Sequence, residues 1–374
     1  MQRFYSFSPS LLFALLLAVT LFLLLPQTAE AQFADRNLSS ERKPIVISMQ
    51  GVYESVPLAS GRLSETSLPF ALSAPMGRYV TFGLQTRSAI AQSDVSPTLS
   101  GLNDVYTSLQ YARQFNWSSL AVTMGINIPS GQEQLSLDEL ETAIQISQPI
   151  FGFHTPGFGQ GFNVRPTVTW AFPVFKSLVI GLVAQRSWQG TFKPIAGMTM
   201  PYDPGDEWMA GIGLDSRILP HVTLSADASF SRYSGDYIGE TQVFEAGMRK
   251  AFNVMFRYAR GHDDLRLLFS HTNNEKGTAF VSDEPAQLAV QTVPSISEAM
   301  LQYKWRISRP LFMGVRFGIQ QFEASTLYDV HKLAYLSILP MYQINNQLAV
   351  LLRATGTAGD FYAYELGTGI TVSF

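Results

Sequence analysis

The chain contains no cysteine among its 374 residues, which excludes disulfides and thiolate metal centres. Charged residues are scarce at 15%, against about 25% in a typical soluble domain. The formal net charge of −3 excludes the basic surface that a nucleic-acid partner needs. Beyond residue 31 no segment reaches the roughly 18 consecutive apolar residues of a spanning helix. Metal and nucleotide motifs are missing too. His154, His221, His262, His271 and His331 lack metal-ligand spacing, and Gly157-x-Gly159-x-Gly161 does not open a helix after a strand. Ser270 and His271 are adjacent, so on a strand their side chains point to opposite faces and cannot form a nucleophile–base pair. The histidines therefore read as solvated loop residues, and neither a cofactor, a metal nor enzymatic chemistry is expected.

What is present begins with a processing segment. Arg3, the apolar run Leu11 to Leu25 and the small-x-small site Ala29-Glu30-Ala31 have the order of a secretory signal peptide, residues 1–31, with a mature start at Gln32. Residues 32–44 are polar and read as a short periplasmic lead. Residues 45–374 then alternate apolar and polar with period two, the mark of strands with one apolar face. The last segment sets Tyr362, Tyr364, Leu366, Thr368, Ile370, Val372 and Phe374 against Phe361, Ala363, Glu365, Gly367, Gly369, Thr371 and Ser373. Aromatics flank aliphatics on the apolar face, as in a strand that crosses a bilayer between two aromatic girdles.

The same pattern repeats along the chain, at Ile45–Tyr53, Ser67–Ala74, Tyr79–Arg87, Gly101–Gln114, Trp117–Ile128, Phe162–Val174, Ser177–Trp188, Glu207–Leu219 and His221–Ser231. It continues at Gln242–Lys250, Asn253–Ser270, Glu298–Ile307, Leu311–Gln321, Leu333–Tyr342 and Gln347–Ala354. Within Asn253–Ser270 the apolar face flips between Tyr258 and Leu265, which requires a bulge near Gly261 or a break. Short connections near Met76, Phe115, Phe175, Pro220, Phe252, Ser308 and Asn345 alternate with longer ones. Short periplasmic turns and longer outer loops define the fold class as all-β: one transmembrane antiparallel up-and-down β-barrel of about sixteen strands, or fourteen if Ile45–Tyr53 and its partner fail. The polar face is mostly Ser, Thr, Gly, Gln and Asn, which suits a confined wet lumen better than a sandwich surface. The expected location is the bacterial outer membrane.

On this face assignment the lumen carries Arg87, Arg165, Arg217, Arg249, Arg257, Lys304, Arg306, Arg316 and Arg353 against Glu207, Asp215, Asp227, Glu245, Glu298 and Glu365. Charges lining a pore set its ion preference. This set reads either as a mildly anion-tolerant pore or as cross-strand ion pairs that brace the wall. The longest outer loop, Pro129 to Gly161, holds a capping-box match at Ser136 and Glu139 followed by Leu137, Leu140, Ala143 and Ile144 at helical spacing. Phe151, Phe153 and Phe158 follow in a Phe- and Gly-rich stretch. They either fold into the mouth as an apolar entry or constriction, or pack on neighbouring loops.

Several short stretches also resemble a known family. Gly101-Leu-Asn-Asp-Val-Tyr-Thr-Ser-Leu-Gln-Tyr-Ala112, the Pro129-Ser130-Gly131 ending of the following strand, the GFGQGF segment and the GTGITVSF terminus resemble the outer-membrane transporters of the MetA-pathway phenol-degradation type. That family is similar in architecture to hydrophobic-compound channels. The resemblance implies passive passage of small compounds, hydrophobic or aromatic ones included. The lead before Ile45 is too short for the N-terminal hatch of the fatty-acid channels. The terminal Phe374 resembles the signature by which the barrel-assembly machinery takes up such chains. Outer-membrane lipids and a small-molecule solute complete the expected partners. The competing readings are a structural or surface-interaction barrel with a filled lumen and, third, an outer-membrane hydrolase.

Overall fold

The computed structural model describes residues 44–58, 61–132, 134–155, 159–280, 287–290, 293–323 and 330–374. The expected signal peptide and all but the last residue of the lead lie outside the described residues. Sixteen antiparallel strands form one closed barrel. They are β1 (Val46–Leu58), β2 (Gly61–Pro75), β3 (Val80–Ser93), β4 (Leu99–Leu102 continued by Val105–Gln114), β5 (Ser119–Ile128), β6 (Asn163–Phe175), β7 (Leu178–Gln189) and β8 (Glu207–Leu219). The circuit continues with β9 (Val222–Tyr233), β10 (Arg249–Arg260), β11 (Asp263–Asn274), β12 (Ile296–Arg306), β13 (Leu311–Phe322), β14 (Lys332–Ile338 continued by Met341–Gln343), β15 (Leu348–Gly359) and β16 (Ala363–Ser373). β1 pairs with β16 from Val46↔Ser373 to Ser55↔Tyr364, so the sheet has no free edge. Closure of this kind lets a sheet sit in hydrocarbon, where unpaired backbone groups are prohibitive.

The period-two alternation produces the two faces. On β5, Val122 and Met124 are exposed outward at 39% and 43%, while the intervening Thr123 and Gly125 turn inward. The exterior is a band of Leu, Ile, Val, Phe and Met. Tyr79, Tyr111, Phe115, Trp117 and Trp170 ring it at the short-turn end, and Trp188, Trp208 and Phe230 at the other. A barrel with this exterior is built for a bilayer, and the end bearing the longer loops is the outer one.

The strand count agrees with the sequence, but two strands lay elsewhere. The face flip near Gly261 is a complete hairpin turn: β10 ends at Arg260 and β11 starts at Asp263. Gly261 takes φ +62°, a conformation that favours glycine. Phe252, expected in a turn, is mid-strand and exposed to lipid. The expected barrel strand Gln242–Lys250 is divided, with Thr241–Glu245 belonging to a separate sheet and Arg249–Lys250 opening β10. Glu245 is therefore not a wall residue.

That second sheet has five short strands above the outer rim. Its order is Gln287–Val290, Gly277–Phe280, Thr241–Glu245, Gly235–Ile238, Tyr202–Asp203, each antiparallel to the next. It is made by the outer loops after β7, β9 and β11; apart from Thr241–Glu245, its strands have only two to four residues, too few to show a period-two pattern.

Candidate functional site: an inward-folded loop and the wall it covers

The loop between β5 and β6 departs from and returns to one residue, Asp104, which interrupts β4. Asp104 Oδ1 accepts the Gly131 N–H (2.9 Å), and Oδ2 accepts the Gln160 N–H and the Asn127 side-chain amide (both 2.7 Å). Ser130 Oγ accepts the Val105 N–H (2.9 Å). The Gly-x-x-Asp, Pro-Ser-Gly and Gly-Gln-Gly stretches that carried the family resemblance thus converge on one clamp at the base of the loop. Gly161 completes it with φ +73°, where an added Cβ would press on the Gly190 carbonyl and Phe192.

Between the clamped ends the loop folds as its sequence indicated. Helix α1 (Leu137–Ile146) starts at a complete capping box: Ser136 Oγ accepts the Glu139 N–H, and the Glu139 carboxylate accepts the Ser136 N–H (2.7 Å). That exchange holds the Glu139 carboxyl below the usual range. Thr142, fully buried, donates to the Pro97 carbonyl (3.0 Å) and ties the helix to the β3–β4 connection. A 3₁₀ turn, Pro149–Phe151, ends at Gly152 in the left-handed conformation and directs the chain to the barrel wall.

There the loop packs inside the barrel. Ile146, Ile150 and Phe151 form one buried cluster with Val56, Leu63, Ala89, Ala91, Leu99, Phe322 and Leu333. Those wall residues are lumen-facing positions of β1–β4, β13 and β14. Phe151 also meets Phe361 edge-on at 5.7 Å and Phe153 at 6.3 Å. Phe151 and Phe153 thus lie against the inner wall rather than on neighbouring loops, and Phe158 lies outside the described residues. The apolar wall positions were the available signal. On a face otherwise polar, Val56, Leu63, Ala91, Phe322 and Leu333 form a landing surface for the loop.

Deeper in the lumen the contact becomes polar. The His154 N–H donates to Glu54 Oε2 (3.1 Å), and its ring Nδ1 lies 2.7 Å from Glu54 Oε1. Thr155, fully buried, donates to Glu65 Oε1 (2.6 Å). Burial pushes the His154 imidazole down to about 4, so the ring is neutral at physiological pH and shares a hydrogen bond with the Glu54 carboxyl group. The expected solvated histidine is therefore overturned. His154 and Thr155, with their partners Glu54 and Glu65, were missed because the two contacts span 100 and 90 residues of chain. Beside them Arg353 Nη2 binds Glu365 Oε2 (2.7 Å), and Arg316 donates to Gln302 (3.2 Å). Arg316, Arg353 and Glu365 are each at most 8% exposed, and Arg87 is drawn to the same acids. Glu54, His154 and Glu365 place ligand-type atoms within 4.8 Å of one another, but both acids already hold protein partners.

Most of the remaining predicted residues line the opposite, uncovered side. Arg165 and Arg217 are exposed to the lumen. Glu207 accepts from Tyr233 (3.3 Å), Asp227 from Asn253 (2.8 Å) and Asp215 from Ser225. Arg257 and Arg266 both fork onto Asp264, each at 3.1 and 2.9 Å. Lys304 sits opposite Asp264 in the register. Glu298 accepts from Tyr335 (2.6 Å). Arg306 is held at the short-turn rim by the Ser308 and Arg309 carbonyls (3.0 and 2.7 Å). The two readings of the lumen charges thus apply to different members: the acids are engaged by wall partners, while several arginines reach the lumen.

No family model matches the chain, and no curated protein matches it. Among solved structures it is similar to an outer membrane channel from Pseudomonas putida F1, with 8% identity over 90% of this chain and 97% of that one, at a TM-score of 0.43. A TodX monoaromatic hydrocarbon channel variant is also 8% identical, over 90% of each chain, at 0.45. The anion-selective porin from Comamonas acidovorans is 12% identical, over 89% of this chain and 99% of that one, at 0.42.

Proposed function

We propose that the chain is a passive outer-membrane channel for small molecules, with a path along the uncovered wall. A sixteen-stranded barrel leaves an aqueous lumen unless loops fill it. The observation that carries this reading is the asymmetry of the inner surface. Lumen-facing Glu65, Ser67 and Ser337 are at most 1% exposed on the covered side, whereas Thr123, Arg165, Thr167, Gln185 and Asp227 stay accessible on the other. The loop narrows the lumen from one side and leaves the rest wet. On β6–β12 the inward Arg165, Arg217, Arg249, Arg257, Arg266, Lys304 and Arg306 outnumber Glu207, Asp215, Asp227, Asp264 and Glu298 by seven to five, so the path favours anions. Phe153, beside the buried Phe151, gives the narrowed section an apolar surface against which a hydrophobic solute can slide. No step involves covalent chemistry.

Single-channel recording of the refolded protein in planar bilayers tests this. Discrete, weakly anion-selective steps are expected. The double variant Glu54→Ala, His154→Ala releases the loop tip and should raise the mean conductance or add open-channel noise. A correctly folded barrel that stays silent in both forms would overturn the channel reading in favour of a structural barrel.

A further inference from the structure

A second distinctive surface faces the lipid. Over β6–β9, Val168, Ala184, Ala210 and Phe230 lie side by side on the exterior. One pair of residues nearer the outer rim, Arg186, Trp208 and Arg232 do the same. The two alanines leave a hollow of about 430 Å³ between taller neighbours, lined almost wholly by apolar atoms and closed on the loop side by Met248. β7 ends at Gln189 and β9 at Tyr233, so the arginines lie at the outer interface.

Arg186 is fixed in place. Its guanidinium sits 4.8 and 4.2 Å from the ring centres of Trp188 and Trp208, and its Nη2 is 2.9 Å from Asp206. Arg232 is exposed and forms no ion pair among the described residues. On the next strand Lys250, opposite Phe230, is bound to Glu275 (2.6 Å). Three cations thus face two carboxylates across four adjacent strands. An outward arginine is costly at the bilayer midplane and nearly neutral at the interface. There the abundant anion is lipid phosphate, which the planar guanidinium fork matches in shape.

We propose that the hollow seats an acyl chain of a phosphorylated outer-leaflet lipid whose phosphate is held by Arg232 and Arg186. Charge complementarity at the rim and an apolar recess directly below it match the two halves of such a molecule. The site is separate from the lumen and does not depend on what the channel carries.

The test is native mass spectrometry of the refolded protein in detergent, titrated with lipid A bearing its phosphates and with the same lipid after phosphate removal. The phosphorylated lipid should give a saturable single adduct about tenfold tighter than the dephosphorylated one, the scale of a charge-assisted bond. Arg232→Gln should abolish that preference. Ala210→Phe should weaken both lipids by filling the hollow, with heat-shifted gel mobility showing that the barrel is intact. Equal binding of the two lipids, or undiminished binding to both variants, would overturn the proposal.

Discussion

The two sides of the lumen present similar side chains in different surroundings. On β5–β11 most inward Thr, Ser, Arg and Asp residues meet solvent, with Ser187 and Ser231 near the outer rim as exceptions. On β1–β3 and β13–β16 the same residue types are buried beneath the loop or within the charged cluster beside it. The polar face of a barrel strand therefore does not by itself mean a wet surface. One 30-odd-residue excursion turns half of it into something closer to a protein core, where every charge needs a partner.

The sharpest way to break that contrast is to remove one cation from each side. Arg353→Met strands the buried Glu365 carboxylate and should cost about 3–5 kcal/mol, read as a fall in the urea midpoint of the folded barrel. Arg165→Met on the open side should stay within about 0.5 kcal/mol. Equal losses would mean that the two walls do not differ as described. A triplet of arginine substitutions sharpens the comparison by face and side. Met124→Arg faces lipid and should lose roughly 2–4 kcal/mol. Thr123→Arg faces the open lumen and should assemble normally. Ala91→Arg also faces inward but lies buried beneath the loop, and should reduce assembly yield as Met124→Arg does. If Ala91→Arg is tolerated, the loop is not seated on its wall.

The smallest expected effect concerns the loop alone. Glu139 has its pKa depressed by the Ser136 N–H, so its capping contribution is present above the ordinary carboxylate range near pH 4.3. It disappears as pH falls through the lowered value. Amide exchange in α1 should accelerate on acidification through that window, and Ser136→Ala, which removes the other half of the box, should flatten the response.

The barrel was legible because the bilayer imposes a period-two pattern that each strand must satisfy by itself. Glu365, Arg353 and Arg316 could be assigned to the inner face from parity alone. Their burial could not, since it depends on a loop more than 150 residues away in the chain. His154 failed for the same reason. The capping box at Ser136 succeeded because all of its partners lie within four residues. The alternation over Gln242–Lys250 predicts barrel wall because a strand that rises above the rim alternates no differently from one that stays below it.

The seam where β1 meets β16 sets the order in which the molecule can be completed. Most barrel strands pair with a neighbour a short connection away, but this ladder joins residue 46 to residue 373, and Ile45 and Phe374 exchange backbone hydrogen bonds of 3.2 and 2.9 Å. Its closure spans nearly the whole described chain, so it has the largest loop entropy to overcome and comes last. Until then the sheet exists as an open ribbon with two unpaired borders, which makes the final strand the latch of the whole wall.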